Sequence, residues 1–414
     1  MSQGLRFKSY FYLNASDQAD AFKKSQYMRP EKPLALYIHI PWCEKKCPYC
    51  DFNSHLARTH VDEGAYVDAL LNDLAHDLDV YAEQIGQQPL SSIFIGGGTP
   101  SLFGPDSYSK LLDGVQSLIA FSDNIEITSE ANPGSSEVEK FKGFKRAGVN
   151  RLSIGIQSFN QQHLKALGRI HNPKEAIAAA SYAKDAGFDN VNLDIMFGLP
   201  GQSLEQSITD IKQAIELQPQ HLSCYQLTIE PNTLFHHSPP ITPDDELLWN
   251  MQQSIQNELF EAGYTQYEVS AYSKRRQCQH NLNYWRFGDY LGIGAGAHAK
   301  LTNIDGSLTR LWKIKHPNNY LKKDKPFIGG VDCISGAQII FEFMMNALRL
   351  TDGFSVNLFE LATKLNISNI QETVTKHQAL GLINVHQGRI TPTDRGRQLL
   401  DSMLQDYLVD AGVS

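Results

Sequence analysis

Cysteine is scarce in this chain, with six in 414 residues, and three of the six fall within eight positions. A disulfide-stapled secreted scaffold spreads its cysteines through the fold, so this distribution excludes one and points to metal binding in a reducing compartment. Long apolar runs are absent. Nothing approaches the roughly 18 consecutive apolar residues of a membrane span, so no transmembrane helix is expected. The first 29 residues hold no continuous apolar stretch, so no secretory signal peptide is expected either. Positive charge is also short: 37 Lys and Arg face 45 Asp and Glu, a net charge of −8 with no strongly basic stretch. A nucleic-acid partner is therefore not indicated. These absences predict a cytoplasmic protein, with peripheral membrane association and a homodimer left open. What is present is ordinary for a globular chain: 42% hydrophobic residues, a sizeable core, and length for two or three domains.

A repeat occupies residues 34–230. Short β-rich runs, at 34–40, 92–95, 124–131, 151–156, 190–196 and 221–227, alternate with helical-period stretches at 65–82, 108–121, 137–147, 173–186 and 204–217. Strand, helix, strand at this spacing predicts parallel strands joined by right-handed crossovers. The early GxGxxG of a dinucleotide fold is missing, and six units fall short of an eight-unit barrel. The expected fold class is α/β, a partial (β/α)6 barrel. In the fourth run Leu152, Ile154 and Ile156 share one face and Ser153, Gly155 and Gln157 the other. In the fifth, Val191, Leu193 and Ile195 oppose Asn192, Asp194 and Met196. A closed barrel fills its interior with apolar layers, so this alternation predicts a lumen wide enough for a polar ligand. The expected domains are an N-terminal extension (1–33), the barrel (34–230), an α+β extension (231–335) and a C-terminal winged-helix-like module (336–414). From Phe354 onward five Lys/Arg stand against six Asp/Glu. DNA binding needs a positive face, so the terminal module is not expected to bind DNA.

Cys43, Cys47 and Cys50 follow the first strand with C-x3-C-x2-C spacing. A 4Fe-4S cubane needs four ligands, usually thiolates. Three from one loop leave an iron open to an amine and carboxylate such as those of S-adenosylmethionine (SAM). A structural zinc site completed by His39 or His55 is the competing reading; such sites usually come as paired C-x2-C units. At the other strand ends lie Gly96-Gly97-Gly98-Thr99-Pro100, Glu130, Gln157 and Asp194, with Arg169 on the loop after Gln157. Ligands of open parallel sheets sit at the carboxyl ends of the strands. Glycines admit close backbone approach, and Arg169 can pair with a carboxylate.

These residues carry a resemblance from about Leu34 to the C-terminus. Tyr37-Ile-His-Ile-Pro-Trp-Cys43, Gly-Gly-Gly-Thr-Pro at 96–100, Arg151-Leu-Ser-Ile-Gly-Ile-Gln157-Ser-Phe and Asn192-Leu-Asp194-Ile-Met-Phe-Gly-Leu-Pro200 resemble the radical SAM family of oxygen-independent coproporphyrinogen III oxidases and related heme chaperones. The resemblance implies that Tyr37, Gly97, Gly98, Thr99, Glu130, Gln157, Arg169 and Asp194 contact SAM. Two features choose the branch. The oxidases carry a fourth cysteine where Phe52 stands here, and His280-Asn-Leu-Asn-Tyr284-Trp285 is an HNxxYW motif like that of the chaperones. This implies a heme carrier with His280 as axial ligand and Tyr284 and Trp285 against the porphyrin, Cys278 and His298 being secondary ligand candidates. Heme-acceptor proteins, membrane respiratory enzymes among them, are the implied partners. Oxidative decarboxylation of coproporphyrinogen III is the alternative activity, with action on another tetrapyrrole a third.

Overall fold

The computed structural model describes residues 33–57, 61–134, 137–322 and 326–408; the N-terminal extension expected at 1–33 lies outside them apart from its final residue. The six runs form strands β1 (Leu34–Ile40), β2 (Leu90–Gly97), β3 (Phe121–Ala131), β4 (Arg151–Gln157), β5 (Val191–Phe197) and β6 (His221–Gln226). They pair in parallel and in chain order. Helices α1 (Glu63–Val80), α2 (Pro105–Leu118), α3 (Glu137–Arg146), α4 (Pro173–Asp185) and α5 (Leu204–Glu216) make the crossovers. Their starts are written in the sequence: Asn172 and Ser203 each close a capping box, with Glu175 and Gln206, and Pro173 occupies the first turn of α4.

Two-residue alternation decides the layering. Leu36, Ile38, Ile93, Ile95, Leu152, Ile154 and Leu193 have no exposed surface and pack in the main hydrophobic core, with Leu70, Leu74, Ala176, Ala179, Ile211 and Ala214 of the helices. Full burial of each large aliphatic is worth about 1.5–3 kcal/mol. The alternate residues face inward, and Ser153, Asn192 and Asp194 hydrogen-bond to one another there. The expected polar inner face is present.

The barrel is not a separate sheet. Helix α6 (Asp245–Glu261) leads to β7 (Thr265–Glu268) and β8 (Ala271–Ser273), which add to the β6 edge. After α7 (Gln279–Trp285), β9 (Asp289–Ile293) pairs in parallel with β1, and β10 (His298–Thr302), β11 (Leu308–Lys313) and β12 (Ile328–Ile334) continue antiparallel. The twelve strands run in the order β12-β11-β10-β9-β1-β2-β3-β4-β5-β6-β8-β7. A fully buried ion cluster fastens this extension to the barrel. Lys313 Nζ lies 2.6 Å from Asp73 Oδ1 and 2.7 Å from Asp77 on α1, and the Tyr320 hydroxyl donates to Asp73 at 2.6 Å.

The glycine-rich stretch at 288–296 holds a strand, and glycine is required within it. A Cβ on Gly292 would lie 1.9 Å from the carbonyl oxygen of His298, where β10 crosses close by. The last segment has its own core around Phe343, Phe354, Phe359 and Met403. It comprises α8 (Gln338–Ala347), α9 (Val356–Thr363) and α10 (Gln371–Ala379). Strands β13 (Phe354–Ser355), β14 (Ile383–His386) and β15 (Arg389–Pro392) accompany them in the order β13-β15-β14. The segment closes on two short helices, α11 (Asp394–Gln398) and α12 (Leu400–Gln405), divided at Leu399.

Candidate functional site

The carboxyl ends of β1–β6 surround a cavity of about 420 Å³. All three clustered cysteines line it, as free thiols. Their loop is held at both ends, because Trp42-Cys43 pairs with His55-Leu56. Between them the amide of Cys50 closes a turn on the carbonyl of Cys47 at 3.2 Å. The glycine run lies directly against this loop. The amides of Gly98 and Thr99 donate to Ile40 and Trp42 at 2.8 and 2.7 Å. A Cβ on Gly98 would sit 2.5 Å from the Trp42 oxygen and 3.0 Å from the Cys43 sulfur, so only glycine fits. Burial pushes the Cys43 and Cys50 thiols up. Thiolates in this loop therefore require a cation beside them.

Gly97, Gly98, Thr99, Glu130, Gln157, Arg169 and Asp194 line the same cavity. Glu130 accepts from the Gly97 amide at 3.1 Å; burial first and the nearby Asp194 second push its carboxyl up to about 8. Asp194 is also raised by burial, but Asn192 and Ser153 donate to it at 2.8 and 3.1 Å and oppose the shift. Gln157 holds a left-handed backbone, φ 68°, rare outside glycine and asparagine, and its Oε1 accepts from Tyr225 at 2.8 Å. Arg169 bridges the barrel and the cysteine loop. It donates to Asn132 Oδ1 at 2.6 Å and to the Gly155 carbonyl at 2.7 Å, and reaches the Cys47 sulfur at 3.8 Å. Tyr37 lies a layer deeper; its hydroxyl meets His39 Nδ1 at 2.9 Å, and Glu130 adds to the burial that raises its pKa.

Sequence reasoning missed Asn132, Ser153, Tyr49 and Tyr225, which also line the cavity. Asn132 and Ser153 had a signal: one follows Glu130 by two positions and the other is an inward residue of β4. Tyr49 and Tyr225 had none, since a tyrosine in a loop or at a strand end reads as ordinary packing.

The second set of expected residues is not brought to this cavity. His280 is 1% exposed. Its Nδ1 is 3.0 Å from Ser92 Oγ and its Nε2 is 2.8 Å from the Tyr284 hydroxyl. Both ring nitrogens thus have protein partners in this structure, and His280, expected as an axial ligand, lies at the floor of the barrel rather than at the cavity. Cys278 is fully buried, its thiol donating to Glu126 at 3.4 Å, so it offers no ligand to solvent either. Trp285 lies beneath the Arg349 guanidinium at 4.3 Å. Tyr284 meets Tyr290 edge to face at 4.5 Å. His298 alone of the five is exposed.

An open parallel barrel with a three-cysteine loop at its mouth and a glycine run packed on that loop defines the radical SAM class of protein. The model of the radical SAM superfamily matches residues 37–214 and that of the HemN C-terminal domain residues 334–399. Over 379 residues the chain is 48% identical to the heme chaperone HemW of Haemophilus influenzae, covering 91% of this chain and 98% of that protein. It is 48% identical to heme chaperone HemW of Escherichia coli (91% and 99% covered) and 34% to that of Bacillus subtilis (90% and 98%). The solved coproporphyrinogen III oxidase HemN of Escherichia coli superposes with a TM-score of 0.76 over 94% of this chain and 93% of that one, at 22% identity, and so shares the fold. The chain belongs to the HemW family. Among the described residues no helix is long and apolar enough to cross a membrane.

Proposed function

We propose that this protein binds heme and passes it to an acceptor protein, and that it carries a 4Fe-4S cluster on Cys43, Cys47 and Cys50 with exchangeable SAM beside it. The observation that carries the cofactor half is the convergence of three free thiols, a glycine run and four charged or amide side chains on one cavity. The donor set fits the group: burial raises the Cys43 and Cys50 thiols, so their thiolates need a cation beside them, and three cysteine ligands leave one iron of a cubane open. Such a cluster supplies a chelation point and one-electron reducing power. The chain's own residues supply the rest. Glu130 and the Gly97 region face an ammonium, Arg169 faces a carboxylate, and Asp194 and Gln157 are left for the ribose and base. Glu130, neutral at pH 7 in the empty cavity, ionises when a cation arrives, which ties SAM affinity to pH. The heme half is supported by the HemW relatives and by Phe52, 56% exposed at the cavity wall where the oxidases place a fourth cysteine.

The test is anaerobic reconstitution followed by parallel assays. About four irons per chain, saturable heme binding and no turnover of coproporphyrinogen III with SAM and a reductant are expected. Turnover above about 0.01 per second, some two decades or more below a typical enzyme, would assign the protein to the oxidases.

A further inference from the structure

His280 is enclosed, and the inner face of the sheet beyond β1 offers another imidazole. On β10 and β11, Ala299, Leu301, Leu311 and Lys313 are buried, Leu301 in the main core and Lys313 against α1. By the two-residue period His298, Arg310 and Trp312 stand on the opposite face, the one that carries Tyr37 and Tyr290. The registers agree: Tyr37 pairs with Gly292, Tyr290 with Lys300, Lys300 with Arg310 and His298 with Trp312. The result is a wall of two aromatic groups on one face, with Lys300 and Arg310 between them. Tyr290 touches Tyr284 and accepts from Arg310 at 2.8 Å, while the His298 ring stacks on Trp312, centroids 6.4 Å apart at 30°. Two glycines keep it flat: Gly292 puts no side chain between Tyr37 and His298, and a Cβ on Gly330 would strike the Trp312 indole at 2.0 Å.

His298 is exposed, and among the described residues neither ring nitrogen has a hydrogen-bond partner. Burial first, then Lys315 and Arg310, lower its pKa, so the ring is neutral at pH 7 and keeps a lone pair for a metal. Arg310 is already engaged by Tyr290 and Glu342. Lys315 is exposed and forms no ion pair among the described residues. A free imidazole, a flat aromatic surface and an available cation match the three parts of heme: iron, macrocycle and carboxylates. We propose that heme binds on this wall, with His298 as its axial iron ligand and Lys315 facing a propionate. This rests on the heme reading above.

The test is titration of the full reconstituted chain with hemin and, separately, with iron-free protoporphyrin, in the wild type, His298→Ala and His280→Ala. His298→Ala is expected to move the Soret band and weaken hemin binding at least tenfold, with the cluster absorption unchanged as proof of folding. His280→Ala is expected to leave the Soret position where it is. Protoporphyrin is expected to bind the wild type and His298→Ala alike, since it has no iron to ligate. A His298→Ala protein with wild-type Soret band and affinity overturns the site while the carrier reading stands, as does a Soret shift in His280→Ala alone. A wild type that binds no hemin overturns both.

Discussion

Glu130→Gln should make the metal-free protein more stable and SAM binding weaker. The buried carboxyl has a pKa near 8 in the fold against an ordinary value of 4.5. Between those values the folded state holds a proton that the unfolded chain releases, so stability is full below about 4.5 and falls as pH rises through the window. At roughly 1.4 kcal/mol per pH unit, the wild type loses about 2 kcal/mol by pH 6, about 3 by pH 7 and a little over 4 by pH 8. Glutamine keeps the acceptor for the Gly97 amide and does not titrate. Its advantage in urea or thermal unfolding should therefore grow with pH and reach a few degrees at neutrality. In the same variant SAM affinity should fall about tenfold or more, the worth of a charge-assisted contact of about 1.5–3 kcal/mol. The wild-type affinity should rise with pH up to about 8, with proton release on binding, and the variant's should not. A stability difference independent of pH, or a Gln variant that binds SAM as well as the wild type, would refute the reasoning.

Replacement of Cys43, Cys47 or Cys50 by Ala should abolish bound iron, whereas Cys224→Ala and Cys333→Ala should not, as read by iron content; stoichiometric zinc without iron in the native protein would contradict this. Lys313→Met should cost about 3–5 kcal/mol in unfolding free energy, because it leaves Asp73 and Asp77 buried without their cation. Tyr267→Phe should weaken SAM severalfold, about 1 kcal/mol, with iron content unchanged. Its hydroxyl bonds His221, which bonds Asn192, which donates to Asp194. The terminal module should show no salt-dependent binding of duplex DNA in an electrophoretic shift of the whole chain.

The barrel was legible because its strands alternate and two of its helices open on capping boxes: Leu152/Ile154 against Ser153/Gln157 gives the layer, and Asn172-Pro173 gives the start of α4. The loop cysteines were legible from spacing alone. The extension was not, since joining β9 to β1 depends on a contact between Leu34 and Asp289 with no local signature. The buried cluster of Lys313, Asp73 and Asp77 was hidden for the same reason; each residue alone reads as surface charge. The surroundings of His280 were not legible, because a motif states residue types and says nothing about which way the ring nitrogens point. Here Ser92 and Tyr284, 188 and 4 positions away, take both.

The central claim, heme carriage, is tested most directly by transfer. The reconstituted chain is loaded with one equivalent of hemin, freed of excess, and mixed with an apo-globin while the Soret region is followed. The account predicts one heme held per chain and its movement to the globin on mixing, with iron–sulfur absorption unchanged. Hemin that fails to saturate at one per chain, or that never leaves a chain that holds it, would contradict it.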